Sequence, residues 1–123
     1  MGYYTWYSMQ VRNIKSRDEY NSIIQALKER EIYDQENTCG VFCESTYYDN
    51  EHRASFSSCD ECKWYEHEYD MMTISKQFPD VTFRLCGEGE ESNDMWREYF
   101  HNGIAEECRA KIVFPAPIEI EWN

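Results

Sequence analysis

The period of the hydrophobic pattern changes twice along this chain, and that change constrains the fold more than any other feature. From Tyr3 to Arg12 the side chains alternate, with Tyr3, Thr5, Tyr7, Met9 and Val11 on one side and Tyr4, Trp6, Ser8, Gln10 and Arg12 on the other. That is the period of a strand with one buried face. Beyond it Tyr20, Ile23, Ile24 and Leu27 recur at helical spacing. Ser16 followed by Glu19 forms a capping box in which the Glu19 carboxylate reaches back to the Ser16 amide, and a helix is predicted over 17–31.

The alternation then returns. Residues 41–48 and 53–58 flank the polar Asp49-Asn50-Glu51, the pattern of a hairpin. A second helix is expected to begin after Trp64 or Tyr65, with Met71, Ile74 and Phe78 as its apolar stripe. It ends by Phe78, because Pro79 disfavours helical geometry in the residue before it. Val81, Phe83 and Leu85 alternate with Thr82, Arg84 and Cys86 as a further strand. Residues 95–100 and 104–114 flank Asn102-Gly103, a pair that tolerates the positive φ of a tight hairpin turn. Ile118, Ile120 and Trp122 read as a last strand. This order predicts an α+β fold: a ferredoxin-like split β-α-β antiparallel sheet with two helices on one face and a C-terminal hairpin extension, in a single domain over 1–123.

Charge narrows the classes of function. Among 123 residues, Asp plus Glu number 24 against 12 Lys plus Arg, a formal net charge of -12. Binding to bare nucleic acid or to an anionic membrane through a basic patch is excluded on that balance. No apolar run approaches the roughly 20 residues that span a bilayer. The first residues, Met1 to Trp6, lack the basic and apolar regions of a signal peptide, so a soluble cytoplasmic protein is expected. Aromatic residues make up 16% of the chain, with 10 Tyr and 4 Trp. Such residues bury area at small entropic cost and favour contact surfaces. The acids concentrate at 60–70 and 88–94.

Cys39 and Cys43, then Cys59 and Cys62, form two close pairs about fifteen residues apart, the spacing of a structural four-thiolate zinc site. The even count of six cysteines invites a disulfide framework, but that reading needs an export signal, and a reducing compartment is expected instead. The alternatives are free thiols packed as small hydrophobes, or a redox pair at Cys59 and Cys62. The surrounding Asp60, Glu61, Glu66 and Glu68 disfavour a reactive thiolate there. His67-Glu68 lacks the second histidine of a metalloprotease helix and reads as an acidic helix start. The glycine- and acid-rich loop 87–94 repels phosphate and fails the EF-hand pattern for calcium. No nucleophile–histidine pairing or dinucleotide fingerprint occurs, and catalysis is not expected.

The stretch Met72-Thr73-Ile74-Ser75-Lys76-Gln77-Phe78-Pro79-Asp80-Val81-Thr82-Phe83-Arg84-Leu85, followed by Gly87-Glu88-Gly89-Glu90-Glu91, Trp96 and Tyr99-Phe100-His101-Asn102-Gly103, resembles the YubB-like ferredoxin-fold proteins of plasmids and phages. The resemblance covers roughly 64–114 and implies that fold in a mobile-element setting, where small acidic proteins include inhibitors of host defence such as anti-CRISPR proteins. It brings no catalytic residues. The expectation is therefore a non-enzymatic inhibitor that occupies the basic nucleic-acid groove of a protein partner. Glu66, Glu68, Asp70, Glu88, Glu90, Glu91 and Asp94 would supply the charge, and Tyr47, Tyr48 and Trp96 the anchors. No cofactor is expected beyond structural zinc. The alternative is a sequestering protein for a small molecule such as a nucleotide signal, using the strand arginines Arg12, Arg53, Arg84, Arg97 and Arg109; a zinc-stabilised regulatory module is a third reading.

Overall fold

A computed structural model describes residues 4–36, 40–58, 60–91, 94–111, 113–115 and 119–120. In chain order the elements are β1 (Trp6–Arg12), α1 (Arg17–Glu29), β2 (Glu44–Tyr48), β3 (Arg53–Ser57), α2 (His67–Gln77), β4 (Thr82–Glu88), β5 (Met95–His101) and β6 (Ile104–Arg109), with a 3-10 turn at Asp49–Glu51 between β2 and β3. The fold is α+β. Six strands form one open sheet in the order β2-β3-β1-β4-β5-β6, and every neighbouring pair is antiparallel.

Both helices pack on one face of that sheet. Tyr7, Met9 and Val11 of β1 point to this face, with Phe83 and Leu85 of β4, Ala54 and Phe56 of β3, and Phe100 of β5. Ile23, Ala26 and Leu27 of α1 and Met71 and Ile74 of α2 close over them. Burying a side chain of this size contributes roughly 1.5–3 kcal/mol. The alternation in 6–12 therefore sets the register of the central strand, because slipping it by one residue would turn Met9 and Val11 to water.

Local signals account for most of the element ends. The Glu19 amide donates to Ser16 Oγ at 3.2 Å, as a capping box requires, but the Glu19 carboxylate accepts from the Lys15 amide at 2.8 Å rather than from that of Ser16. Phe78, before Pro79, sits at φ -129, outside helical geometry. Asn102 and Gly103 take φ 47 and 82 in the β5–β6 turn. Four expected strands come out shorter, β2 beginning at Glu44 rather than at residue 41 and β3 ending at Ser57 rather than at Ser58. Thr5 is tied to Cys62 by an isolated bridge, and regular pairing begins only at Trp6. The strand expected over 104–114 stops at Arg109, because its neighbour β5 begins at Met95 and offers nothing further to pair with. The Ala110 amide makes the final bond, to the Met95 carbonyl at 2.9 Å. Val113 and Phe114 beyond it are exposed. Of the strand expected through Ile118, Ile120 and Trp122, only Ile120 is described, and it is exposed outside any strand.

Candidate binding surfaces

The two acidic runs, distant in sequence, meet at one end of the sheet. Cross-strand register places Trp6 beside Glu88 and Glu88 beside Met95. The Thr5–Cys62 bridge, with both N–H···O distances at 3.0 Å, ties the 60–64 segment to the start of β1. The Tyr4 amide donates to Glu90 Oε2 at 2.8 Å, which draws the loop after β4 to the same place. The start of α2 arrives there because the His67 ring stacks on Trp96 at 5.0 Å between centroids. Tyr4, Trp6, Tyr65, Tyr69 and Met95 are exposed among these acids.

The individual acids divide by what they already hold. Glu66 precedes α2 without a side-chain cap bond, and neither it nor Glu61 nor Glu88 spends its carboxylate on a partner among the described residues. Glu90 holds the Tyr4 amide, and Asp94 is ion-paired to Arg109 at 2.8 Å. Glu91 is exposed at the bend after β4, where its carbonyl accepts from the Asp94 amide. Asp70 was expected to face a partner, but it serves the fold: one oxygen accepts from Arg30 at 3.0 Å and the other from the Trp64 indole at 2.9 Å.

The expected aromatic anchors fare unevenly. Trp96 is buried, with its indole packed flat on Gly87, where an added Cβ would lie 2.3 Å from the ring. It is a core residue and not a surface anchor. Tyr47 stacks on Tyr20 at 4.8 Å, beneath Arg17, on the helix side of the sheet. Only Tyr48 is exposed, and it sits at the far end of β2 from the acids, with Arg53 over its ring. Tyr4, Trp6, Tyr65 and Tyr69 are the exposed rings among the acids; Tyr65 and Tyr69 lie within the 60–70 run in sequence, whereas Tyr4 and Trp6 reach the acids only through tertiary contacts.

Sequence reasoning also missed a buried carboxyl. Glu98 is 1% exposed between Trp96 and Phe100 on the helix side of β5. His67 Nδ1 approaches its Oε1 at 3.4 Å, without the geometry of a hydrogen bond, and neither atom has another partner among the described residues. Burial first, then the hydrogen bond and charge of Glu68, then Glu107 opposite on β6, raise the Glu98 carboxyl to about 8. Burial lowers the His67 value, partly opposed by Glu68, Glu107 and Asp70. At neutral pH the contact therefore joins a protonated carboxyl to a neutral imidazole.

The cysteines reach the described residues only in part. Cys39 and Cys59 lie outside them. Reduced cysteines were expected, but Cys43 is buried and disulfide-bonded, whereas Cys62, Cys86 and Cys108 are free. Burial and then Asp60 push the Cys62 thiol upward, the direction expected from the acids around it. Among the described residues, no three His, Cys, Asp or Glu side chains are grouped to hold a metal ion. A sulfur in a disulfide is not a thiolate ligand, so the oxidised form and a four-thiolate zinc site exclude each other. Among the described residues no helix is long and apolar enough to cross a membrane.

Comparison with family models, with curated proteins and with solved structures finds no match to this chain.

Proposed function

We propose that this is a non-enzymatic binding protein that docks its acidic end onto the basic nucleic-acid-binding groove of another protein and blocks it. The observation that carries this reading is the convergence of the two acidic runs with exposed rings between them. Carboxylates held at one end of a sheet can take the places of phosphates, and a net charge of -12 steers encounter with a basic surface. The exposed Trp6, Tyr65 and Tyr69 supply the apolar contact that charge alone does not give. The reading that accompanies it is a ferredoxin-like arrangement of the first four strands, extended by the β5–β6 hairpin, in an inhibitor acting in the cytoplasm of a cell that carries a phage or plasmid.

Glu61 and Glu66 are suited to testing this, because their carboxylates hold no partner among the described residues. The wild-type protein should retain a nucleic-acid-binding protein from a bacterial lysate at low salt and release it at high salt or on addition of duplex DNA. The Glu61→Lys/Glu66→Lys double variant should retain at least tenfold less. Equal retention by wild type and variant, or indifference to DNA, would exclude charge mimicry.

A further inference from the structure

We propose that the face of the sheet opposite the helices is a binding site for a nucleotide, an anion carrying a flat ring. The distribution of arginines is the first observation. Four of them are neutralised by carboxylates: Arg17 by Asp49, Arg30 by Asp70, Arg53 by Glu51, and Arg109 by Asp94 and Glu107. The other three, Arg12, Arg84 and Arg97, have no carboxylate partner among the described residues. In a chain with twice as many acids as bases, arginines left unpaired call for an explanation. All three alternate with buried residues and so point to the face without helices.

The second observation is a concavity of about 950 Å³ on that face, lined by Trp6, Ser8, Gln10, Ser57, Arg84 and Arg97 among others. Its size lies within the roughly 300–1,000 Å³ of small-molecule sites. Register orders its chemistry in rows. Trp6, Glu88 and Met95 form one row; Ser57, Ser8, Cys86, Arg97 and Cys108 the next; Ser55, Gln10, Arg84, Tyr99 and, on the edge strand, Glu106 the third. At about 3.3 Å per residue, the first and third rows stand about 13 Å apart, a distance that suits a base at one end and phosphates at the other.

Each end has the groups its part of the ligand needs. Gln10 Oε1 accepts from Arg84 Nε at 3.0 Å, which fixes the guanidinium while leaving its two terminal nitrogens for a phosphate. Arg97 lies between the small side chains of Cys86 and Cys108, with no carboxylate directly across from it on either neighbouring strand. The exposed Trp6 ring offers a stacking platform for the base. Glu88 in the same row repels phosphate but accepts from N–H groups on a ring edge, so it orients the ligand with its phosphates toward the arginines. Arg84 and Arg97 stand outside the acidic docking end, which this surface meets at Trp6 and Glu88.

Titration calorimetry of the full chain with GTP, ATP and pyrophosphate tests this site. At least one nucleotide should bind, at least tenfold more weakly in Arg84→Gln and in Arg97→Gln, while Arg53→Gln on the same face should leave affinity unchanged. Trp6→Ala should weaken the nucleotide and spare pyrophosphate. Circular dichroism melts of the exposed-site variants should match wild type. Absence of heat with all three probes at millimolar concentration would overturn the proposal. So would affinity unchanged by both arginine substitutions, or pyrophosphate binding as tightly as the nucleotides.

Discussion

Replacing Glu98 with Gln is predicted to stabilise the protein increasingly as pH rises. The carboxyl is 1% exposed and faces His67 and Glu68 from α2 and Glu107 from β6; the nearby Arg109 is occupied by Asp94 and Glu107. Burial and these acids raise it from 4.5 to about 8. An acid whose folded value is raised binds more protons folded than unfolded across that window. Stability is therefore lost as pH climbs from about 4.5 toward 8, at up to about 1.4 kcal/mol per unit, and at pH 7 the loss reaches roughly 3 kcal/mol. Gln has the same shape, never ionises, and can donate an N–H to Glu68 where the protonated carboxyl donates its O–H.

His67 works in the opposite sense. Its value is lowered by burial, so it withdraws stability as pH falls below about 6.5. Both proteins carry His67, and its contribution cancels in the difference to first order. Urea unfolding at pH 5, 6, 7 and 8 should therefore give midpoints that nearly coincide at pH 5 and diverge in favour of Glu98→Gln by roughly 3–4 kcal/mol at pH 8. A variant less stable than wild type at pH 8 would refute the reasoning. It would mean that Glu98 is ionised in the fold and held by an imidazolium at His67.

Three further outcomes follow from the same geometry. Gly87→Ala should lower stability by about 1–3 kcal/mol, because the new Cβ would lie 2.3 Å from an indole already stacked on His67; an unchanged melting temperature would mean that Trp96 moves aside freely. Asp70→Ala leaves the Arg30 guanidinium and the Trp64 N–H without their shared acceptor, and should cost about 2–4 kcal/mol in urea unfolding, whereas a loss near zero would place that network outside the cooperative core. With a thiol reagent and no reductant, Cys108 should react first, ahead of the half-buried Cys86 and Cys62, while Cys43 becomes reactive only after reduction. Native mass spectrometry of the reduced protein then reports whether zinc takes the place of the disulfide.

The sequence could carry what a few neighbouring residues decide. Alternation set the buried face of β1, Ser16 and Glu19 set the start of α1, and Asn102-Gly103 set the β5–β6 turn. Positions decided by a partner strand were not legible locally, and the end of β6 at Arg109 follows from where β5 begins. Glu98 had a readable signal that composition hid. It shares its phase with Trp96 and Phe100, so the alternation that buries those two buries the carboxyl as well. The same phase removes Trp96 from the surface, where its residue type alone had put it. The convergence of acids depends on the Thr5–Cys62 bridge and the Tyr4–Glu90 hydrogen bond, contacts between segments that no window of sequence contains together.

The two proposed surfaces touch at Trp6 and Glu88, which stand in the row where the open face meets the acidic end. A base stacked on Trp6 would remove one exposed ring from a docking partner, and a partner over Trp6 would close that end of the concavity. Occupancy of either surface must then alter affinity at the other by the same factor, since coupling between two binding equilibria is reciprocal. The shared row makes competition between a nucleotide and a basic protein partner the behaviour to expect.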